Sequence, residues 1–219
     1  MILADRHIAA LKAALFAACL LPAARLGWLA AQDALGANPI EALTRGLGDW
    51  ALNFLLITLV ITPLRRVTNW SWLGRLRRML GLFAFFYAVL HVAGYVVLDQ
   101  WFAWDEILKD IAKRPFITVG FVTFAILTVL AATSTNGMVR RLGGLRWQRL
   151  HRTVYLAALL AVLHYVWMVK IDVAQPAVYG AIVAFLLGIR LYWRLRPKPA
   201  LVEQMRRRKE RVIPIAVKR

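Results

Sequence analysis

The sequence predicts an all-α polytopic membrane protein, a bundle of six transmembrane helices with both termini in the cytoplasm, and three observations predict it. First, the 219 residues are 61% hydrophobic, with a mean hydropathy of +0.59, too apolar for a water-soluble domain of this length. Second, the apolar residues fall into six runs, each near the roughly 20 residues a helix needs to cross a bilayer. Third, the net charge of +18 is concentrated in short clusters between those runs, the pattern of orientation signals and of contacts with anionic lipid. Membrane lipid, and not nucleic acid, is the partner this charge implies.

The runs justify themselves in order. The first, about 8–29, has Arg6 and Lys12 nearby and no small-residue cleavage site, so it reads as a retained anchor; Pro22 and Arg25 lie towards its far end. A loop with Gly36, Asn38 and Pro39 leads to the second run, about 47–64, closed by Pro63 and followed by a basic loop with Arg65, Arg66, Arg75, Arg77 and Arg78. The third, about 79–98, carries His91, and an acidic loop with Asp99, Asp105, Glu106 and Asp110 follows. Pro115 opens the fourth run, about 116–132, which holds no charge. Residues 134–149 read as a basic loop, with Asn136-Gly137 and Gly143-Gly144 as turn signals. The fifth run, about 151–170, carries His151 and His164; Pro176 starts the sixth, about 177–192, and a basic cytoplasmic tail, 195–219, ends the chain. The whole of 1–219 is one transmembrane domain, with no room for a separate folded unit.

With the N-terminus inside, only Arg25, Arg45, Lys109, Lys113, Arg114 and Lys170 of the 29 Lys and Arg fall on the outer side, as the positive-inside rule requires. Tryptophan checks this independently. Trp28, Trp50, Trp101, Trp104 and Trp167 lie near outer boundaries and Trp70, Trp72, Trp147 and Trp193 near inner ones, forming two interfacial belts.

Cys19 is the single cysteine, which excludes a disulfide framework, a c-type haem attachment motif and an iron–sulfur ligand set. Redox chemistry would have to rest on histidine. A buried imidazole in a bilayer is costly unless something binds it, and the options are a metal or haem iron, a proton path, or a bond between helices. His91 lies about twelve residues into its run and His164 thirteen beyond His151; both runs travel outward, so His91 and His164 share a depth. Two imidazoles facing each other across helices are the axial ligand set of a six-coordinate b-type haem. His151 marks a second, inner level about 20 Å away at the helical rise. Two features complicate a second haem there. At about 100° per residue, thirteen residues leave His151 and His164 roughly 220° apart around the helix, so the helix is over- or underwound or the rings serve different flanks. The position opposite His151 is held by Arg77 or Arg78, whose guanidinium has no lone pair for iron; such an arginine could pair with a haem propionate, cap a five-coordinate haem or bind a flavin phosphate.

Several motifs together carry a family resemblance: Leu35-Gly36-Ala37-Asn38-Pro39, Ile61-Thr62-Pro63-Leu64, Arg77-Arg78 with Leu80-Gly81-Leu82, Leu90-His91, Arg114-Pro115, Thr133-Ser134-Thr135, Trp147-Gln148-Arg149-Leu150-His151, Tyr155, His164-Tyr165 and Val169-Lys170-Ile171. With these the chain resembles the MsrQ (YedZ) family, the haem-binding membrane subunits of bacterial periplasmic methionine-sulfoxide reductase systems, within the ferric-reductase-like transmembrane superfamily. The family's usual Gly-Ala-Asp-Pro stands here as Gly-Ala-Asn-Pro. The resemblance implies haem b held by His91 and His164, an open second haem at His151 with Arg77 or Arg78 at the fourth ligand position, and FMN. It implies an inner-membrane electron-transfer subunit, not the catalytic one, drawing on quinol or a cytosolic flavin reductase and serving a periplasmic molybdopterin-containing reductase. Two alternatives compete: a stand-alone ferric or superoxide-forming reductase, and a haem-free proton-coupled transporter in which the histidines relay protons.

Overall fold

The computed structural model describes residues 5–169 and 173–196; the basic tail from residue 197 onward and Lys170-Ile171 lie outside them. These residues form nine α-helices in chain order and, among them, no strand. The order is α1 (Asp5–Ala31), α2 (Pro39–Thr68), α3 (Arg77–Ala93), α4 (Trp104–Lys113), α5 (Pro115–Ala132), α6 (Asn136–Leu142), α7 (Gly144–His151), α8 (Val154–Met168) and α9 (Ala174–Leu195). A 3-10 turn, Ser71–Arg75, precedes α3, and a π-helical stretch, Gly94–Asp99, continues it. Among the described residues, six helical segments are long and apolar enough to cross a membrane: Asp5–Ala31, Pro39–Thr68, Ser71–Asp99, Pro115–Ala132, Gly144–Met168 and Ala174–Leu195. The expected six-helix membrane bundle is therefore observed.

α2, α3, α5 and α8 close into a ring, α2 lying along α3 and α5 along α8; α1 packs outside α2 and α3, and α9 outside α2 and α8. Helix association in lipid depends on packing and hydrogen bonds, because the surrounding chains are as apolar as leucine. The packing here is aromatic: Phe54 stacks on Tyr87 at 5.2 Å, and Phe83 meets Phe16 edge-on at 5.1 Å, in pairs worth about 0.5–1.5 kcal/mol each beyond their burial.

Several boundaries differ from the expectations. α2 begins at Pro39, well before 47, because Asn38 caps it, its Oδ1 accepting the Glu41 N–H at 3.3 Å. Asparagine and aspartate cap equally well, so Gly-Ala-Asn-Pro does the work of Gly-Ala-Asp-Pro. Pro63 does not close α2, which runs on to Thr68 and ends at Asn69 with φ 57°. Proline leaves the carbonyl four residues earlier without a donor; here Arg190 on α9 donates to that Leu59 carbonyl, so the helix continues. The acidic loop contains α4, whose apolar Trp104, Ile107, Leu108 and Ile111 recur at helical spacing. The basic loop contains α6 and α7: Asn136-Gly137 starts a helix capped by the Thr135 hydroxyl, while Gly143, at φ 75°, makes the expected turn.

Near Pro22 a side chain is bonded to the α1 backbone. Tyr87, fully buried, accepts the Ala23 N–H at 3.0 Å and donates to the Cys19 carbonyl at 2.7 Å. Tyr87→Phe is expected to remove both bonds and cost about 1–3 kcal/mol, read as a lower midpoint of thermal unfolding in detergent with helix content unchanged at low temperature.

Candidate functional site

Inside the ring lies a cavity of about 390 Å³, within the range of about 300–1,000 Å³ for cofactor sites. His91 from α3 and His164 from α8 face each other in it, their ring centroids 6.2 Å apart and their planes 78° apart. A metal binds imidazole nitrogen at about 2 Å, and that nitrogen is about 1 Å from the ring centre, so two imidazoles on opposite sides of one metal have centroids about 6 Å apart. The observed spacing fits one shared metal.

The helices flanking each histidine prepare it in the same way. His91 Nδ1 lies 2.8 Å from the Thr44 carbonyl of α2, and His164 Nδ1 lies 2.7 Å from the Phe116 carbonyl of α5. A carbonyl only accepts, so both Nδ1 atoms carry the proton and both Nε2 lone pairs are free. Metal-ligating histidines commonly make this second bond. One turn beyond each carbonyl stands a glycine: a Cβ at Gly48 would sit 2.9 Å from His91 Nδ1, and one at Gly120 2.9 Å from His164 Nδ1 and Cε1. Each ring therefore rests on bare backbone, as a cradle for a fixed ligand would require. The walls deeper in the cavity are apolar, including Leu52, Leu55, Ala88, Phe124 and Leu127, while Thr44 Oγ1, beside Gly94, is buried without a hydrogen-bond partner among the described residues. These residues fit a haem.

Residues 47–162, from within α2 into α8, match the family model of the ferric reductase like transmembrane component. Relatives named protein-methionine-sulfoxide reductase heme-binding subunit MsrQ align over most of the chain. The Herminiimonas arsenicoxydans protein is 59% identical, covering 84% of this chain and 85% of its own length. That of Azospira oryzae is 53% identical, covering 87% and 82%, and that of Bordetella pertussis 52% identical, covering 89% and 96%. The chain belongs to the MsrQ family.

In this MsrQ-family chain, a multi-pass membrane protein, the structure brings His91 and His164 together and leaves His151 apart. Trp147 stacks on the His151 ring at 3.8 Å, and the Trp147 carbonyl accepts from Nδ1 at 3.2 Å. Ser134 Oγ is 3.4 Å from Nε2, but its one proton goes to the Leu130 carbonyl at 2.7 Å, so Nε2 keeps its lone pair. Among the described residues no other imidazole is in ring contact with His151, and His7 is exposed on α1. Among the described residues, the level of His151 thus offers one imidazole. Arg77 and Arg78 open α3 close enough for their charges to act on His151, and Arg78 donates to Asn136 Oδ1 at 2.7 Å.

The helix between His151 and His164 is overwound where it begins. Arg152, Thr153 and Tyr155 each donate to the carbonyl three residues back, at 3.2, 3.0 and 3.1 Å, separating α7 from α8. Such turns advance about 120° per residue instead of about 100°, which reduces the angular mismatch between the two histidines.

Gly48, Gly120 and Thr44 carry no mark in the sequence that sets them apart from other residues of their runs, such as Gly81 and Gly94. A Cβ at Gly81 would meet only the Thr58 side chain, at an ordinary 3.6 Å or more, while one at Gly94 would meet Thr44 Oγ1 at 2.8 Å, so Gly94 admits the neighbouring helix. Nothing in the pattern of an apolar run distinguishes a glycine beneath an imidazole from one beneath a leucine.

Proposed function

We propose that this chain is the haem b-bearing electron-transfer subunit of a methionine-sulfoxide reductase system in the bacterial inner membrane. It takes electrons on the cytoplasmic side, from quinol or a cytosolic flavin reductase, and passes them to a periplasmic molybdopterin-containing reductase that repairs oxidised methionine. One observation carries the reading: two imidazoles at single-metal spacing in one cavity, each held through Nδ1 by a backbone carbonyl so that Nε2 keeps its lone pair. The names of the relatives supply the heme-binding role and the system.

When bound, a b-type haem supplies a one-electron carrier inside the hydrocarbon core. His91 and His164 contribute two neutral nitrogen ligands, and the Thr44 and Phe116 carbonyls fix their tautomer and raise their basicity. The apolar walls exclude water, which favours a small change of geometry between oxidation states and sets the potential through a low local dielectric. His151 with Arg77 and Arg78, on the cytoplasmic side in the orientation that the charge pattern favours, is where we place electron entry, including any contact with a flavin phosphate. A haem held by His151 would lack a second imidazole, so the reading rests on the outer pair.

The test is methionine-sulfoxide reduction by membranes containing this chain and a quinol donor. Reduction is expected only when the periplasmic partner is present, and His91→Ala should abolish it. Equal electron delivery to a ferric chelate or to oxygen without the partner would replace this reading with the stand-alone reductase.

A further inference from the structure

We propose that Arg45 and Arg114 bind the two propionate carboxylates of the haem, making one end of the cavity a two-armed carboxylate clamp. This rests on the haem reading above and adds the direction in which the macrocycle stands. The charged residues lining the cavity, apart from the histidines, gather at one end: Glu41, Arg45, Asp49, Asp99 and Arg114. That end is formed by the starts of α2 and α5 and the ends of the π-helical stretch and α8. The other end is closed by apolar side chains, where a carboxylate would be left unpaired at a cost of several kcal/mol. A dianionic edge can therefore lie only towards the charged mouth.

The two arginines occupy equivalent places. Arg45 directly follows Thr44, whose carbonyl holds His91, and Arg114 lies two residues before Phe116, whose carbonyl holds His164. Each helix that cradles an imidazole thus also delivers a guanidinium to the mouth, one from either side. Guanidinium presents paired N–H donors that match a carboxylate. Both are braced one helical turn back. Glu41 pairs with Arg45 and is itself held by Asn38 Nδ2 at 2.8 Å; Asp110 pairs with Arg114 Nε at 3.2 Å and accepts the Tyr95 hydroxyl at 3.2 Å. The arginine side chains remain 50% and 57% exposed, so donors are left for a further carboxylate. The other two acids have neighbours of their own: Asp49 lies close enough to Tyr165 to act on its hydroxyl, and Asp99 accepts from Gln100 Nε2 at 2.9 Å.

The test supplies membranes from haem-deficient cells with either haem or its dimethyl ester, in which both carboxylates are blocked. Wild-type protein is expected to bind haem at least about tenfold more tightly than the ester, the scale of hydrogen bonds to charged groups. In Arg45→Gln/Arg114→Gln the preference should fall towards unity, with the bis-imidazole spectrum retained and the midpoint potential lowered by the loss of positive charge. Arg45→Lys/Arg114→Lys, which keeps the charge, should keep part of the preference. Equal binding of haem and ester by wild-type protein would overturn the clamp while leaving ligation by histidine intact, and this comparison needs no variant to fold. An undiminished preference in the glutamine variant would also overturn it. Failure of the wild type to bind either compound would remove the haem reading itself, and the clamp with it.

Discussion

Gly48→Ala and Gly120→Ala are each expected to lower haem affinity by at least about tenfold, although neither glycine touches a metal. The added methyl would lie 2.9 Å from the His91 ring in the first variant and from the His164 ring in the second, and the ring cannot retreat without breaking its bond to Thr44 or Phe116. Overpacking of this kind costs about 1–3 kcal/mol, and here the cost falls on the ligand geometry. Both substitutions favour helix, by up to about 1 kcal/mol, so the variants should insert and fold. Titration of the apoprotein with haem measures the effect. Wild-type affinity in either variant would show that the imidazole does not rest on that glycine when haem is bound.

Arg190→Leu should be among the most destabilising substitutions in the bundle, by about 2–4 kcal/mol, because it leaves the Leu59 carbonyl unpaired in the hydrocarbon core. The carbonyl lacks a helical donor only because residue 63 is proline, so Pro63→Ala should rescue much of that loss by restoring the N–H. A double-mutant cycle on unfolding in detergent reads this directly. Coupling near zero would mean that Arg190 stabilises the fold through its contact with Tyr155 and not through the proline gap.

Much of the fold was legible because a bilayer permits few solutions: a run of about 20 apolar residues must be helical. The depth match of His91 and His164 was legible for the same reason, since rise per residue converts sequence distance into height. Angle was harder. The overwound turn between His151 and Val154 depends on three local hydrogen bonds, which composition does not announce. Pro63 misled because a proline ends an isolated helix, and only the fold brings Arg190, far away in the chain, to the orphaned carbonyl. α4 was legible in its apolar spacing but was hidden by its acidic composition. The two arginines at the cavity mouth, Arg45 and Arg114, read in the sequence as outer-side exceptions to the positive-inside pattern, and become meaningful only once both helices are seen to enclose one space.

Ligation of one haem by His91 and His164 is the step on which electron transfer through this bundle depends. Its most direct test is the dithionite-reduced minus oxidised absorption spectrum of purified protein, with haem content per chain, for wild type, His91→Ala, His164→Ala and His151→Ala. The expected result is a six-coordinate b-type signal in the wild type, lost in both His91→Ala and His164→Ala and kept in His151→Ala. A wild type that remains colourless after haem-sufficient expression, or a signal that survives loss of His91 and of His164, would contradict the account.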